Sequence, residues 1–164
     1  MTAIETSLKN FQSDVDQWMA ENVPKNPGFL LPLTFLEVGT EQQLDFLRDW
    51  QHKLWSAGFL GMHWPTQYGG QGSDAAFQGI VDKALTAHNA PIIFNTIGLN
   101  WTGPLLLDVG TEEDRQRYIK NILTGDEIWC QGFSEPDHGS DLGNVQTKAV
   151  RDGDEYIVNG SKIW

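Results

Sequence analysis

Apolar residues recur near the start of the chain at three- and four-residue steps: Ile4, Leu8, Phe11, Val15, Trp18 and Met19. That spacing predicts an amphipathic helix with one buried stripe. The helix must stop in Asn22-Val23-Pro24-Lys25-Asn26-Pro27-Gly28, where two prolines and a glycine forbid continuation. An extended loop is predicted from there to about Val38. Thr40 with Gln43 fits a capping box, and Leu44, Leu47, Trp50, Leu54 and Trp55 fill the buried face of a second helix that Gly58 ends. Residues 61–72 (GMHWPTQYGGQG) carry loop chemistry throughout. Ser73 and Asp74 start a third helix, running through Ile80, Ala84 and Leu85 to about His88. Residues 92–107 are almost wholly apolar. They predict a helix buried on most sides, kinked or broken at Gly103-Pro104. Thr111 then places a cap hydroxyl ahead of Glu112, Glu113 and Asp114, acids that complement a helix dipole. Tyr118, Ile119, Ile122 and Leu123 form the buried side of that helix, and Gly125 closes it.

Beyond Gly125 the period changes. Residues 144–150 alternate, with Val145, Thr147 and Ala149 on one face. Asp152-Gly153 is a hairpin signal, residues 155–158 are β-rich, and Asn159-Gly160 is a second hairpin signal. Ser161 to Trp164 opens a third strand. The pattern predicts a mainly α chain with a C-terminal β segment: an all-α domain over 1–125, then the start of a β domain over 126–164. A meander interrupted at its third strand leaves an unpaired edge, so the β domain is expected to be truncated.

Composition narrows the classes. Seven Trp, eight Phe and three Tyr among 164 residues are incompatible with a disordered chain. Eleven basic residues against 22 acidic ones give a net charge of −11. Duplex nucleic acid and anionic membrane surfaces are therefore poor partners. Small anionic cofactors stay compatible, because backbone N–H groups and helix N-termini bind them without net positive charge. The single cysteine, Cys130, excludes an internal disulfide and a multi-cysteine zinc site, and reads as a small buried apolar residue. No stretch approaches 18 consecutive apolar residues. The N-terminus lacks a basic region followed by an apolar run, and a cytoplasmic protein is expected.

One segment concentrates candidate chemistry. Residues 129–141 read WCQGFSEPDHGSD. Gly139 allows close backbone approach, and the neighbouring N–H and hydroxyl donors suit a phosphate or a polar ring edge. On the residues alone, an ordinary polar loop between a helical and a β segment is the favoured explanation, because small polar loops are common. Glu112, Glu113 and Asp114 read as helix-start acids rather than metal ligands. His52, His63 and His88 lack metal-ligand spacing. Residues 67–72 lack the Lys-Ser/Thr of a phosphate-binding loop.

The segment resembles the flavin-binding motif of the acyl-CoA dehydrogenase family, close to T/S-E-P-x-A-G-S-D. Trp64-Pro65 with Tyr68-Gly69-Gly70 resembles that family's W-P-x-x-Y-G-G loop. Thr102-Gly103-Pro104 through Gly110-Thr111-Glu112-Glu113 resembles its G-P-x-L-x-x-x-G-T-E-E stretch. Residues 156–164 resemble its Y-x-L-N-G-x-K-x-W hairpin. The four motifs fall in the family's order and spacing over about residues 37–164. His138 stands where the family usually has Ala.

The resemblance implies an N-terminal α-helical domain followed by an incomplete middle β-barrel, the family's C-terminal helical bundle lying outside this sequence. It implies FAD as cofactor, an acyl-CoA thioester as substrate and oxidation of that thioester to its enoyl form. Gln131, Phe133 and Ser134 would line the flavin ring, and Gly139 and Ser140 would face the pyrophosphate. Ser140 would also lie near the thioester arm, and Trp164 would pack on the isoalloxazine face. The catalytic base is expected beyond residue 164. An electron-transfer flavoprotein is the implied acceptor and a homo-oligomer, tetramer or dimer, the implied assembly. Exposed apolar surface is expected where the bundle would dock. An acyl-CoA oxidase or related flavoenzyme, and a non-catalytic helical binding module, are the alternative readings.

Overall fold

The computed structural model describes residues 3–163. Helix α1 (Ala3–Asn22) turns Val15 and Met19 wholly inward, with Phe11 and Trp18 partly covered. Pro24 stands just beyond its last turn. In α2 (Glu41–Ser56) the Thr40 side chain accepts the Gln43 N–H at 3.2 Å, while the Gln43 side chain accepts the N–H of Gly39 at 2.9 Å. The cap therefore closes one residue further out than a standard capping box. Gly58 ends the helix at φ +79°, a conformation glycine adopts without steric cost. Helix α3 (Ala75–Ala87) starts at Asp74, whose carboxylate accepts the Ala76 N–H at 2.8 Å. Helix α5 (Glu112–Thr124) opens with the reciprocal Thr111–Asp114 pair and ends at Gly125 with φ +83°.

The stretch at residues 92–107 departs from expectation. Residues 91–95 are not helical, a π-helical segment occupies Gly98–Thr102, and α4 is only Gly103–Val109. Pro104 has no N–H to offer the carbonyl four residues back, and its ring crowds that carbonyl. The turn widens, and Gly103 N–H bonds the Gly98 carbonyl instead. Nor is the stretch covered on most sides. Trp101 and Leu105 are exposed, because an apolar run records hydrophobicity and not what packs on it.

Helix α1 packs on α3, and α2 and α4 pack on α5. The core joins Val15, Met19, Trp50, Leu54, Val81, Ile119, Ile122 and Leu123. The loop at 61–72 is built tightly onto this core. Trp55 donates from Nε1 to the Gly69 carbonyl at 2.9 Å, and the Tyr68 hydroxyl donates to Glu112 at 2.6 Å. A Cβ at residue 70 would overlap the Trp64 backbone, so this close approach requires glycine.

The chain divides into two units, Met1–Trp129 and Cys130–Trp164. In the second, β1 (Lys148–Asp152) pairs antiparallel with β2 (Glu155–Asn159) in a register running from Lys148↔Asn159 to Asp152↔Glu155. The two-residue turn falls at Gly153-Asp154, as the Asp-Gly signal predicts, with Gly153 at φ +63°. The first strand begins at residue 148 rather than 144. Asn144 donates its side-chain amide to Asp141 at 2.6 Å and closes a helical turn at Leu142–Asn144 instead. The expected third strand is also corrected: residues 161–163 pair with no strand. Gly160 instead passes close against Thr147.

Candidate functional site

Glu135 organises the loop that carries most of the residues read as a flavin site. Its backbone N–H donates to the His138 carbonyl at 2.9 Å, and His138 N–H returns the bond at 3.1 Å, closing a turn over Pro136-Asp137. Its carboxylate, 6% exposed, accepts the N–H groups of Gln146 at 2.6 Å and Thr147 at 2.8 Å. Lys162 Nζ adds a third bond at 3.0 Å and also donates to the Phe133 carbonyl at 2.9 Å. Ile163 N–H donates to the Ser134 carbonyl at 2.9 Å. One carboxylate therefore ties the loop to the lead-in of β1 and to the segment after β2. The Thr147 hydroxyl stands beside it outside strict hydrogen-bond geometry, and the Gln146 and Thr147 N–H groups bond it directly. Together with Lys162 they hold the Glu135 carboxyl down at about 2, against the opposing effect of burial.

Around that brace lie five of the six residues singled out by sequence. Gln131 is half-buried, and its Oε1 is buried without a hydrogen-bond partner. Phe133 is 62% exposed. Ser134 is half-buried, while Gly139 and Ser140 are exposed. A Cβ added at Gly139 would meet nothing within 4 Å, so the backbone there is open to a ligand. Trp164 lies outside the described residues. The exposed Phe133 ring, the unsatisfied Gln131 amide and the open Gly139-Ser140 backbone suit a flat ligand with polar edges and a phosphate group. Cys130 is exposed rather than buried, a correction to its reading as a small core residue.

Glu135 and Lys162 lie inside quoted motifs, yet their pairing was not read from them. The Gly-x-Lys spacing is visible, but its partner lies 27 residues away. A second feature escaped the sequence reading altogether. The helical unit holds a cleft of about 640 Å³, lined by apolar Leu60, Trp64, Leu85 and Leu99 and by polar His63, Gln78, Asp82 and Asn100. Gln78 donates to Asp82 at 3.1 Å and accepts the Met62 N–H at 3.3 Å, which orients its amide. Among the described residues no cluster of three or more His, Cys, Asp or Glu side chains is placed to hold a metal ion. No helix among them is long and apolar enough to cross a membrane.

The chain thus runs from a helical unit with a capped α5 through a carboxylate-braced Ser-Glu-Pro loop to a β-hairpin. The sequence matches the family described as "Acyl-CoA dehydrogenase, N-terminal domain" over residues 8–126. The chain belongs to the acyl-CoA dehydrogenase family. It is 34% identical over 158 residues to acyl-CoA dehydrogenase IpdE1 of Mycobacterium tuberculosis, covering 96% of this chain and 40% of that protein. A solved structure described as a Tcur3481-Tcur3483 steroid ACAD superposes with a TM-score of 0.74 at 33% identity, over 96% of this chain and 39% of that one. The ChsE4-ChsE5 complex from Mycobacterium tuberculosis gives 0.73 at 28% identity, over 100% and 39%. The chain thus spans about two fifths of the length of these relatives.

Proposed function

We propose that this chain is the N-terminal part of a FAD-dependent dehydrogenase that oxidises an acyl-CoA thioester to the enoyl-CoA. The braced loop with its unpaired Gln131 amide is the observation that carries this reading. The Gln131 amide and Ser134 hydroxyl would hold the polar edge of the flavin ring, Phe133 would line it, and by the family resemblance Trp164 would pack on its face. Gly139 and Ser140 give backbone and hydroxyl donors to the pyrophosphate, and Ser140 also meets the thioester arm. FAD, when bound, supplies the acceptor for the hydride leaving the thioester β-carbon. The α-proton goes to a carboxylate base outside residues 1–164. Within this chain, the Glu135 brace holds the loop donors in place before ligand arrives, so less ordering opposes binding.

The mixed apolar and polar cleft, together with the similar structure described as a steroid ACAD, supports a bulky, ring-bearing acyl group over a short straight chain. An electron-transfer flavoprotein serves as electron acceptor, and the complete protein acts as an oligomer in the cytoplasm. The neighbouring ChsE4-ChsE5 complex supports assembly. The test is purification of the complete protein, its flavin spectrum, and turnover with straight-chain and ring-bearing acyl-CoA thioesters under an artificial electron acceptor. A yellow protein that reduces its flavin with the ring-bearing thioester is expected. A protein that takes up no flavin and ignores every thioester would overturn the reading.

A further inference from the structure

Two buried amides meet at the C-terminal end of α5. Gln51 on α2, fully buried, donates from Nε2 to the carbonyls of Ile122 at 2.9 Å and Leu123 at 3.0 Å. Asn95, also fully buried, donates from Nδ2 to the carbonyls of Ile122 at 3.1 Å and Glu127 at 2.9 Å. Its Oδ1 accepts the Trp129 N–H at 3.1 Å. Both amides satisfy carbonyls that a helix end leaves without intrahelical partners. Only Asn95 reaches past Gly125 and holds the outgoing chain. Its space is protected, because a Cβ at Gly98 would stand 2.5 Å from the Asn95 Oδ1.

The residues it holds are the last of the helical unit. Trp129 ends that unit, and after Cys130 the chain enters residues 131–140. Nearer the helix, the buried Thr124 hydroxyl donates to Asp126 at 2.7 Å, and the Glu127 N–H donates to the Asn121 carbonyl at 3.2 Å. The remaining contacts use partly exposed side chains: Trp129 lies edge-on to Tyr118 at 5.3 Å, and Glu127 pairs with Arg117. Exposed contacts of this kind contribute little individually. Asn95 is the buried anchor, and it uses both amide protons and its oxygen on main-chain groups.

We infer that Asn95 is a positioning residue for the flavin-contacting loop, fixing the backbone at residues 127 and 129 from which that loop departs. The inference rests on the proposed reading of residues 131–140. It makes Asn95 act on ligand binding through the main chain, without touching the ligand. Gln51 provides the contrast. It clamps the same helix end and is equally buried, but it bonds nothing beyond Leu123.

The test compares the complete wild-type protein with Asn95→Ala and Gln51→Ala by FAD titration of the apoprotein, the visible flavin spectrum and thermal unfolding. Asn95→Ala is expected to raise the FAD Kd by about tenfold or more and to shift the flavin band, since misplacing a binding group by ~1 Å costs up to ~100-fold. Gln51→Ala, at a similar loss of Tm, is expected to leave Kd within about twofold because the loop departure is untouched. Equal changes in both variants, tracking Tm, overturn the inference and leave Asn95 an ordinary core residue. A wild-type protein that takes up no FAD overturns the flavin reading and the inference with it. Where Asn95→Ala fails to fold, amide exchange in the wild type decides. The Trp129 N–H should be protected like the interior of α5, and exchange at the rate of an exposed loop overturns the anchor.

Discussion

The Glu135 carboxylate accepts two backbone N–H bonds and one from Lys162, and its pKa falls from 4.5 to about 2. A depressed carboxyl pKa stabilises the folded state above the unfolded value, and that contribution is lost as pH falls through the folded one. The brace should therefore hold undiminished above about 4.5 and weaken from there down to about 2. An NMR titration of the Glu135 side-chain carboxyl should inflect near 2; an inflection near 4.5 would show that the brace does not form. Two glycines offer a contrast at the same scale. A Cβ at Gly103 would strike the Trp64 indole, which is 3% exposed, whereas one at Gly79 meets nothing within 4 Å. Gly103→Ala should cost about 1–3 kcal/mol by overpacking. Gly79→Ala, inside exposed helix, should instead gain about 0.4–1 kcal/mol. Thermal unfolding of the pair checks both signs.

Among the elements, α5 has the most complete local signal. Thr111 Oγ1 accepts the Asp114 N–H at 3.1 Å, and the Asp114 carboxylate accepts the Thr111 N–H at 3.0 Å. The Thr111 hydroxyl also donates to the Asp114 carboxylate at 2.7 Å, and that bond first, with the Thr111 N–H second, holds the Asp114 carboxyl below its ordinary range. Thr111→Ala should cost about 1 kcal/mol in urea unfolding, and an unchanged midpoint would show that the cap contributes nothing. The starts and stops of α2, α3 and α5 were legible because caps and breakers act within three or four residues of themselves. The helix expected at residues 92–107 was misread in part. Its breaker, Pro104, was recognised, but its neighbours' answer to the missing N–H was a wider turn rather than a simple kink. The third strand was read from Asn159-Gly160, and a turn signal alone does not supply a strand to pair with.

At the scale of the whole molecule, the two units differ in how their elements are covered. Every residue of β1 and β2 is exposed, whereas Ile119, Ile122 and Leu123 on α5 are fully buried. A two-stranded hairpin with no covered face is marginally stable in water. Hydrogen exchange of the 164-residue chain should therefore release the β1–β2 amides well before those of α5, and simultaneous release would contradict that division. The sequence by itself determined the boundaries of α2, α3 and α5, the hairpin turn at Gly153 and the family, through local caps, breakers and collinear motifs. Tertiary structure alone decided what Glu135 and Asn95 do, and that a cleft exists in the helical unit. The Asn95 bonds span 27, 32 and 34 residues, and the cleft is lined from several separate segments. Spacing along a chain carries no information on such meetings, because they depend on how the helices pack around one another.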